Sequence, residues 1–308
     1  MTPPRWIGCI MNHLPFTITA YLFNALSVLT NKFLLNKIIP DPLIYIFYIS
    51  LFSLLAVLAL PFTHVPTFEV FNIASLSTLL WTAGAYLMFK ALKIGQVSRV
   101  IPIIGTLIPL ILLLFASETN AISSIQAWAV LILIVAMIFL TLQDILQGSF
   151  KKQEIIFEVL SAVSFAISYI ILRQAYLKLD FFSVLVWSRL ILLPLGIAIL
   201  LIPSLRRKII TPAGLQINFF SKEGLVFLGG QASGAISEFL ILFSISLANP
   251  ALVNSLQGTQ YVFLFIFAIL LSKKYPAIFQ EKYNILSLSS KIIGICLIGL
   301  GLYLLSAS

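Results

Sequence analysis

Two opposite charges stand inside apolar sequence: Glu238, near the middle of the stretch Gly224 to Pro250, and Arg189 in the apolar stretch before it. An ionised carboxylate at the centre of a bilayer-spanning helix costs at least about 2.5 kcal/mol on insertion scales, so it is tolerated where it faces a polar cavity or a cationic partner. Glu238 lies nine residues before Leu247, where the apolar run 224–247 ends, about 13 Å at 1.5 Å per residue. Arg189 lies seven residues after the start of its own, about 10 Å from the same side. An ion pair is therefore within reach. It is either a static bridge pinning two helices or a switchable pair, in which a solute or a proton competes for Glu238 and frees Arg189.

Other polar residues recur at helical spacing. Gln231, Gly234 and Glu238 share one helix face, and Gly230 with Gly234 makes a small-xxx-small step that permits close helix approach. Asn254, Gln257, Gly258 and Tyr261 form a second stripe, and Thr17, Tyr21, Asn24 and Asn31 a third. Such stripes turn away from lipid, towards a cavity or towards hydrogen bonds with other helices. For Ser161, Ser164 and Ser168 interhelical hydrogen bonding is the expectation. Trp81 and Tyr86 could supply an aromatic wall, and Lys90 and Arg99 flank a tight junction as gate candidates. Lys32, Lys90, Arg99, Arg173 and Lys291 fall near helix ends, where long stems snorkel to headgroups. Glu158, about one turn inside its helix, suits the positive N-terminal dipole. Pro102, Pro109 and Pro194 can open a helix locally, though a packing kink is the expectation.

The elements that must hold these residues are set by composition. Of 308 residues 60% are hydrophobic and only 9% charged, against roughly 25% charged in soluble proteins. Ten apolar stretches are long enough to span lipid: 14–31, 43–61, 71–91, 97–116, 124–142, 155–173, 182–202, 224–247, 250–271 and 289–306. They do not alternate as barrel strands would, so helices are expected. The first reads as a retained span rather than a removed signal peptide. The basic connection 203–223 reads as an ordered loop at most. With alternate loops assigned to two sides, one side carries 15 Lys and Arg and the side holding both termini carries 3. Taken alone, this puts the termini outside the cell. The basic loops fit topology and anionic headgroups; no basic helix or aromatic patch points to nucleic acid.

Cys9 and Cys296 suggest neither a disulfide framework nor a metal site. His13 and His64 are far apart, and no zinc-protease, nucleophile-elbow or Walker signature occurs. Neither an enzyme nor a bound cofactor is expected, and ATP-driven pumping within this chain is not expected either.

The chain reads as a duplication. Ser27–Lys32 lines up with Ser168–Arg173, Phe89–Gly95 with Phe243–Asn249, and Leu133–Leu140 with Leu297–Leu304. The offset grows from 141 to 154 to 164, and the extra residues fall in loops, as a true duplication should show. Residues 1–150 and 151–308 are then two five-helix repeats. An odd number of helices per half turns the second upside down, a recurring plan of secondary transporters with a midplane site.

The segment Phe89–Pro109 resembles the third-to-fourth helix junction of the EamA branch of the drug/metabolite transporter superfamily. So do Asn254–Leu264, Ser272–Pro276 with Glu281, and Lys291–Leu302, while Glu118 stands near an acidic position common in that family. The resemblance covers essentially the whole chain. It implies a bacterial-type inner-membrane exporter of small metabolites, with both termini in the cytoplasm, opposite to the charge count.

The expectation is thus an all-α, polytopic, multi-pass protein of the cytoplasmic (inner) membrane, with ten spans in two inverted repeats. It would export a small organic metabolite or drug-like solute, with protons as the candidate coupling ion, as a monomer or homodimer in the lipid bilayer. Glu238 and Arg189 form the polar centre, with Gln231, Asn254, Gln257, Tyr261, Asn24, Tyr21 and Trp81 around it and Lys90 and Arg99 as gates. The rival is a non-transporting receptor or assembly factor with a static Arg189–Glu238 bridge.

Overall fold

A computed structural model describes residues 13–37, 39, 41–116, 124–146, 151–210, 221–248, 250–274 and 285–306. Cys9, Glu118, Asn249, Pro276 and Glu281 lie outside the described residues, and the expected repeat boundary falls at their edge.

Apolar residues with no water to bond their backbones must satisfy them internally, and every described element is helical. In chain order these are α1 (His13–Lys37), α2 (Pro42–Ser53), a 3-10 segment (Leu54–Phe62), α3 (Phe68–Ile94), α4 (Val97–Ala116), α5 (Ser124–Leu146) and α6 (Lys152–Tyr176). Then follow α7 (Phe181–Arg189), α8 (Leu192–Leu201), α9 (Pro203–Ile210), α10 (Lys222–Leu247), α11 (Pro250–Ser255), α12 (Gly258–Lys274) and α13 (Ile285–Ser306). Six segments are long and apolar enough to cross a bilayer: Leu14–Lys37, Pro42–Phe62, Phe68–Ile94, Lys152–Tyr176, Phe181–Leu201 and Gly224–Leu247. The apolar helices Val97–Leu112, Trp128–Leu140, Gly258–Leu271 and Leu288–Leu304 are shorter. The molecule is a helical membrane protein.

Three expected continuous spans are interrupted. Asp41 caps α2, accepting from Leu43 N–H at 3.1 Å, with Pro42 at the first helical position. After Ser53 the chain tightens to 3-10 geometry as far as Phe62, with Pro61 inside that segment. In the seventh span, Pro194 has no N–H to give to Leu190, and the chain breaks at Leu190–Ile191, directly after Arg189. In the ninth, tight turns at Leu256–Gln257 separate α11 from α12, with the Asn254 amide turned back to Pro250 O at 2.8 Å. The connection expected to be a loop starts with the helix α9. Pro203 opens it, and Leu205 and Ile209 are buried while Arg206, Arg207 and Lys208 stay outside.

Helices pair where side chains are small. α3 lies along α6: Ser77 and Ser168 hydroxyls each donate to the other's carbonyl, at 3.0 and 2.9 Å, and Ser161 donates to Gly84 O at 2.8 Å. α1 lies along α10, where a Cβ on Gly234 would stand 2.8 Å from Ser27 Oγ. α5 lies along α13, with Leu133 filling the space beside Gly301 and Leu140 the space beside Gly294. Further pairs are α4 with α6, α1 with α12, α3 with α7, and the 3-10 segment with α7.

Candidate functional site

α1, α2, the 3-10 segment, α3, α4, α6, α7, α10, α11 and α12 line a cavity of about 390 Å³, within the size range of small-molecule sites. Its wall includes Tyr21, Asn24, Trp81, Arg189, Gln231, Glu238, Asn254 and Gln257. Between them stand Phe52, Met88, Phe89, Ile104, Phe165 and Tyr169. The lining is apolar and aromatic with a few polar groups, the composition of an organic-ligand site.

Arg189 and Glu238 meet: Arg189 Nη2 stands 3.9 Å from Glu238 Oε1. That is an ion pair beyond hydrogen-bond length, so both groups keep unused bonding capacity toward the cavity. The break after α7 matters here, because Arg189 is the last residue of that half-span. On its other side the pair borders a small void of about 10 Å³, walled by Ser77, Thr78, Ser168, Tyr176 and Ser188. Trp81, Leu172 and Leu242 complete its wall, and its size is at the lower limit for a single water.

Towards the end where α1 begins and α13 stops, Tyr21 hydroxyl donates to Val253 O at 3.0 Å and Thr17 to Ser244 Oγ at 3.1 Å. Rings of Phe16, Phe181, Phe239 and Phe243 pack there at centroid distances of 5.4–5.5 Å or, for Phe239 with Phe243, 6.4 Å. Beyond them Asp180 caps α7 through Ser183 N–H at 3.0 Å and meets His64 Nδ1 at 3.2 Å. Partial burial opposes ionisation of Asp180. The Ser183 and His64 bonds outweigh it and hold the carboxyl below its usual range.

The opposite, basic end is held by charges. Gln231 Nε2 donates to Tyr45 hydroxyl at 3.0 Å, and Tyr45 donates to Asn31 Oδ1. Below them Lys32 Nζ donates to the carbonyls of Leu92 and Gly95, the last at 2.8 Å, capping the C-terminus of α3. Arg99 pairs with Glu154, and Lys291 Nζ reaches Gln96 Oε1 and Ser98 Oγ at 2.8 Å each. Gly95 is required by space: a Cβ there would enter the Glu154 carboxylate and Val100. Glu158 is wholly buried beside this network with neither carboxylate oxygen hydrogen-bonded.

Several expectations change. Tyr261 does not line the cavity; it is buried behind it, its hydroxyl occupying the space that Gly105 leaves open. Neither gate candidate lines the cavity. Lys90 Nζ sits over the rings of Tyr86 and Phe157, at 4.6 and 5.1 Å, and Arg99 is buried in its pair. Lys32, Arg99 and Lys291 do not snorkel: all are buried, because protein carbonyls and carboxylates there replace the headgroups. Arg173 caps α10 instead, donating to Ile245 O at 2.9 Å and Ser246 O at 2.6 Å. Glu158 sits in a buried ionic cluster rather than facing an open helix end.

The sequence reading passed over Tyr45, Tyr169 and Gln260. Gln260 was legible, three residues after Gln257 on one face. Tyr45 carried no signal, since only tertiary packing brings it to Gln231.

No protein-family model matches the chain. No curated protein matches it. Among matching solved chains is one described as "Crystal structure of protein", with a TM-score of 0.62 at 14% identity, covering 96% of this chain and 97% of the other. At that identity the likeness concerns the fold alone.

Proposed function

We propose that the protein is a secondary transporter of the EamA type. It exports a small organic metabolite or drug-like solute across the cytoplasmic membrane. Its ten spans form two inverted five-helix repeats with the site between them. The observation that carries this reading is the Arg189–Glu238 pair, under-bonded and facing a cavity of organic-solute size. A purely structural bridge would close to hydrogen-bonding distance and lie in a dry contact.

The repeat reading gains support from two matching caps. Lys32 ends one first helix and binds Leu92 O; Arg173, its counterpart at an offset of 141, binds Ser246 O, the counterpart of Leu92 at 154. The pairings α3 with α6 and α1 with α10 are each other's counterparts under the same exchange. Two equivalent caps at opposite ends are what alternating access needs. Glu238 carries the coupling proton, and the water-sized void beside it offers a relay position.

The test is Glu238→Gln in proteoliposomes under an imposed pH gradient, assayed against labelled amino acids, sugars and aromatic amines. Flux should be lost or should lose its pH dependence while insertion is unchanged. Wild-type flux with a wild-type pH profile removes Glu238 from the mechanism. Absence of flux for the wild type across the panel favours the receptor reading.

A further inference from the structure

The cavity reaches the side of the molecule as well as its core. α2 and α10 pack together at the basic half through Phe52, Tyr48 and Phe227, with Phe227 centroids 5.8 Å from Phe52 and 5.9 Å from Tyr48. α7 and α10 pack together at the other end through Phe181 with Phe239, at 5.4 Å, and Phe182 with Phe239, at 6.3 Å. Between these aromatic contacts the cavity wall runs out to residues that face outward. Leu55 is 61% exposed, Phe239 is 39% exposed, and Ala235 is exposed. Ala235 is the fourteenth of 26 residues in α10, about 18 to 20 Å from the helix ends at 1.5 Å per residue. A hydrocarbon core is about 30 Å thick, so this opening faces acyl chains and not headgroups. Meanwhile both axial ends are tied, one by the Lys32, Arg99–Glu154 and Lys291 network and the other by Thr17, Tyr21 and the phenylalanine cluster.

We propose that this side window admits a solute dissolved in the bilayer, a single-chain amphiphile with an uncharged head that both donates and accepts hydrogen bonds, such as a primary amide. The head sits across Glu238 and Arg189, accepting from the guanidinium and donating to the carboxylate. The chain runs out past Leu55, Ala235 and Phe239. The charges of the pair cancel, so a head with net charge would leave one buried charge unmatched, whereas a neutral donor–acceptor head satisfies both. Frame and walls are apolar, as an alkyl chain requires. The proposal rests on reading this cavity as the solute site, but its test reads occupancy and not flux.

The probe is decanamide dibrominated a few carbons from its amide head, a tryptophan quencher whose bromines would lie beside Trp81, which shares the wall with Arg189 and Glu238. It is added to vesicles holding full-length protein in which Trp6, Trp128 and Trp187 are replaced by Phe, leaving Trp81 in the cavity wall as the reporter. Saturable quenching of Trp81 is expected. Ala235→Phe, which fills the window, should weaken it about tenfold. Ile236→Phe, on a neighbouring exposed position outside the cavity wall, should leave it unchanged. No saturable quenching, or equal behaviour of the two variants, overturns the proposal. Lost flux with intact quenching overturns the transport reading alone.

Discussion

Arg99 should be the most costly single charge to remove at the basic end, and more costly than its own partner. Arg99 and Glu154 side chains are 8% and 3% exposed, and Glu158 beside them is buried with both oxygens unbonded. Arg99→Met strands the Glu154 carboxylate in a dry site, with the unbonded Glu158 carboxyl beside it. Breaking a buried pair in this way costs about 3–5 kcal/mol. Glu154→Gln is milder, because the guanidinium keeps a neutral acceptor and gains Glu158 as its counter-charge. The loss is that of a weakened hydrogen bond, about 1–3 kcal/mol. Combining Arg99→Met with Glu154→Gln removes charge and counter-charge together and leaves Glu158 alone without a cation, so the double should cost less than the sum of the two singles. The assay is reversible unfolding in mixed micelles titrated with SDS, followed by circular dichroism, for the two single variants and the double. If Arg99→Met cost no more than Glu154→Gln, the argument that Glu158 stands ready to share the cation would be refuted.

Lys32→Met and Arg173→Met should each cost about 1.5–3 kcal/mol in the same assay, since each removes a charged donor from helix-end carbonyls; a cost near zero would mean that water takes over the caps. Gly301→Ala should destabilise by about 1–3 kcal/mol through overpacking, because its Cβ would stand 2.7 Å from Leu133 and 3.3 Å from Ala129 O; unchanged stability would show that α5 and α13 can slide apart freely. The cap by Asp180 should fail in acid. Its carboxyl is held below the usual range, so its contribution is complete above the ordinary value of about 3.9 and is lost as pH falls through the lowered folded value. The extra protection of the Ser183 amide in wild type over Asp180→Ala, read by hydrogen exchange, should vanish across that range, and protection that persists below it would refute the assignment.

Much of the fold was legible because lipid imposes a simple rule. A chain with 9% charge and long apolar runs must close its backbone hydrogen bonds within helices, and the runs mark where. The depth of Glu238 and Arg189 was legible too, because rise per residue turns sequence position into height. The interruptions were only half legible. Pro194 pointed to no more than a kink beside Arg189 where the chain in fact breaks, and the 3-10 stretch after Ser53 and the break at Leu256–Gln257 depend on neighbours. Helical periodicity placed Asn254, Gln257 and Tyr261 on one stripe and could not say that a break would turn Tyr261 behind the wall.

By itself the sequence determined that the protein is helical, lies in a membrane and buries a carboxylate and a guanidinium at matching heights. Which helices face one another was decided only by tertiary structure. Rotation about a helix axis is set by side-chain volume at contacts between residues far apart in the chain, such as Gly234 against Ser27 and Gly84 against Phe165. The same packing turned lysines and arginines that sequence assigns to headgroups into caps and buried pairs, because carbonyls and carboxylates from distant helices meet them first.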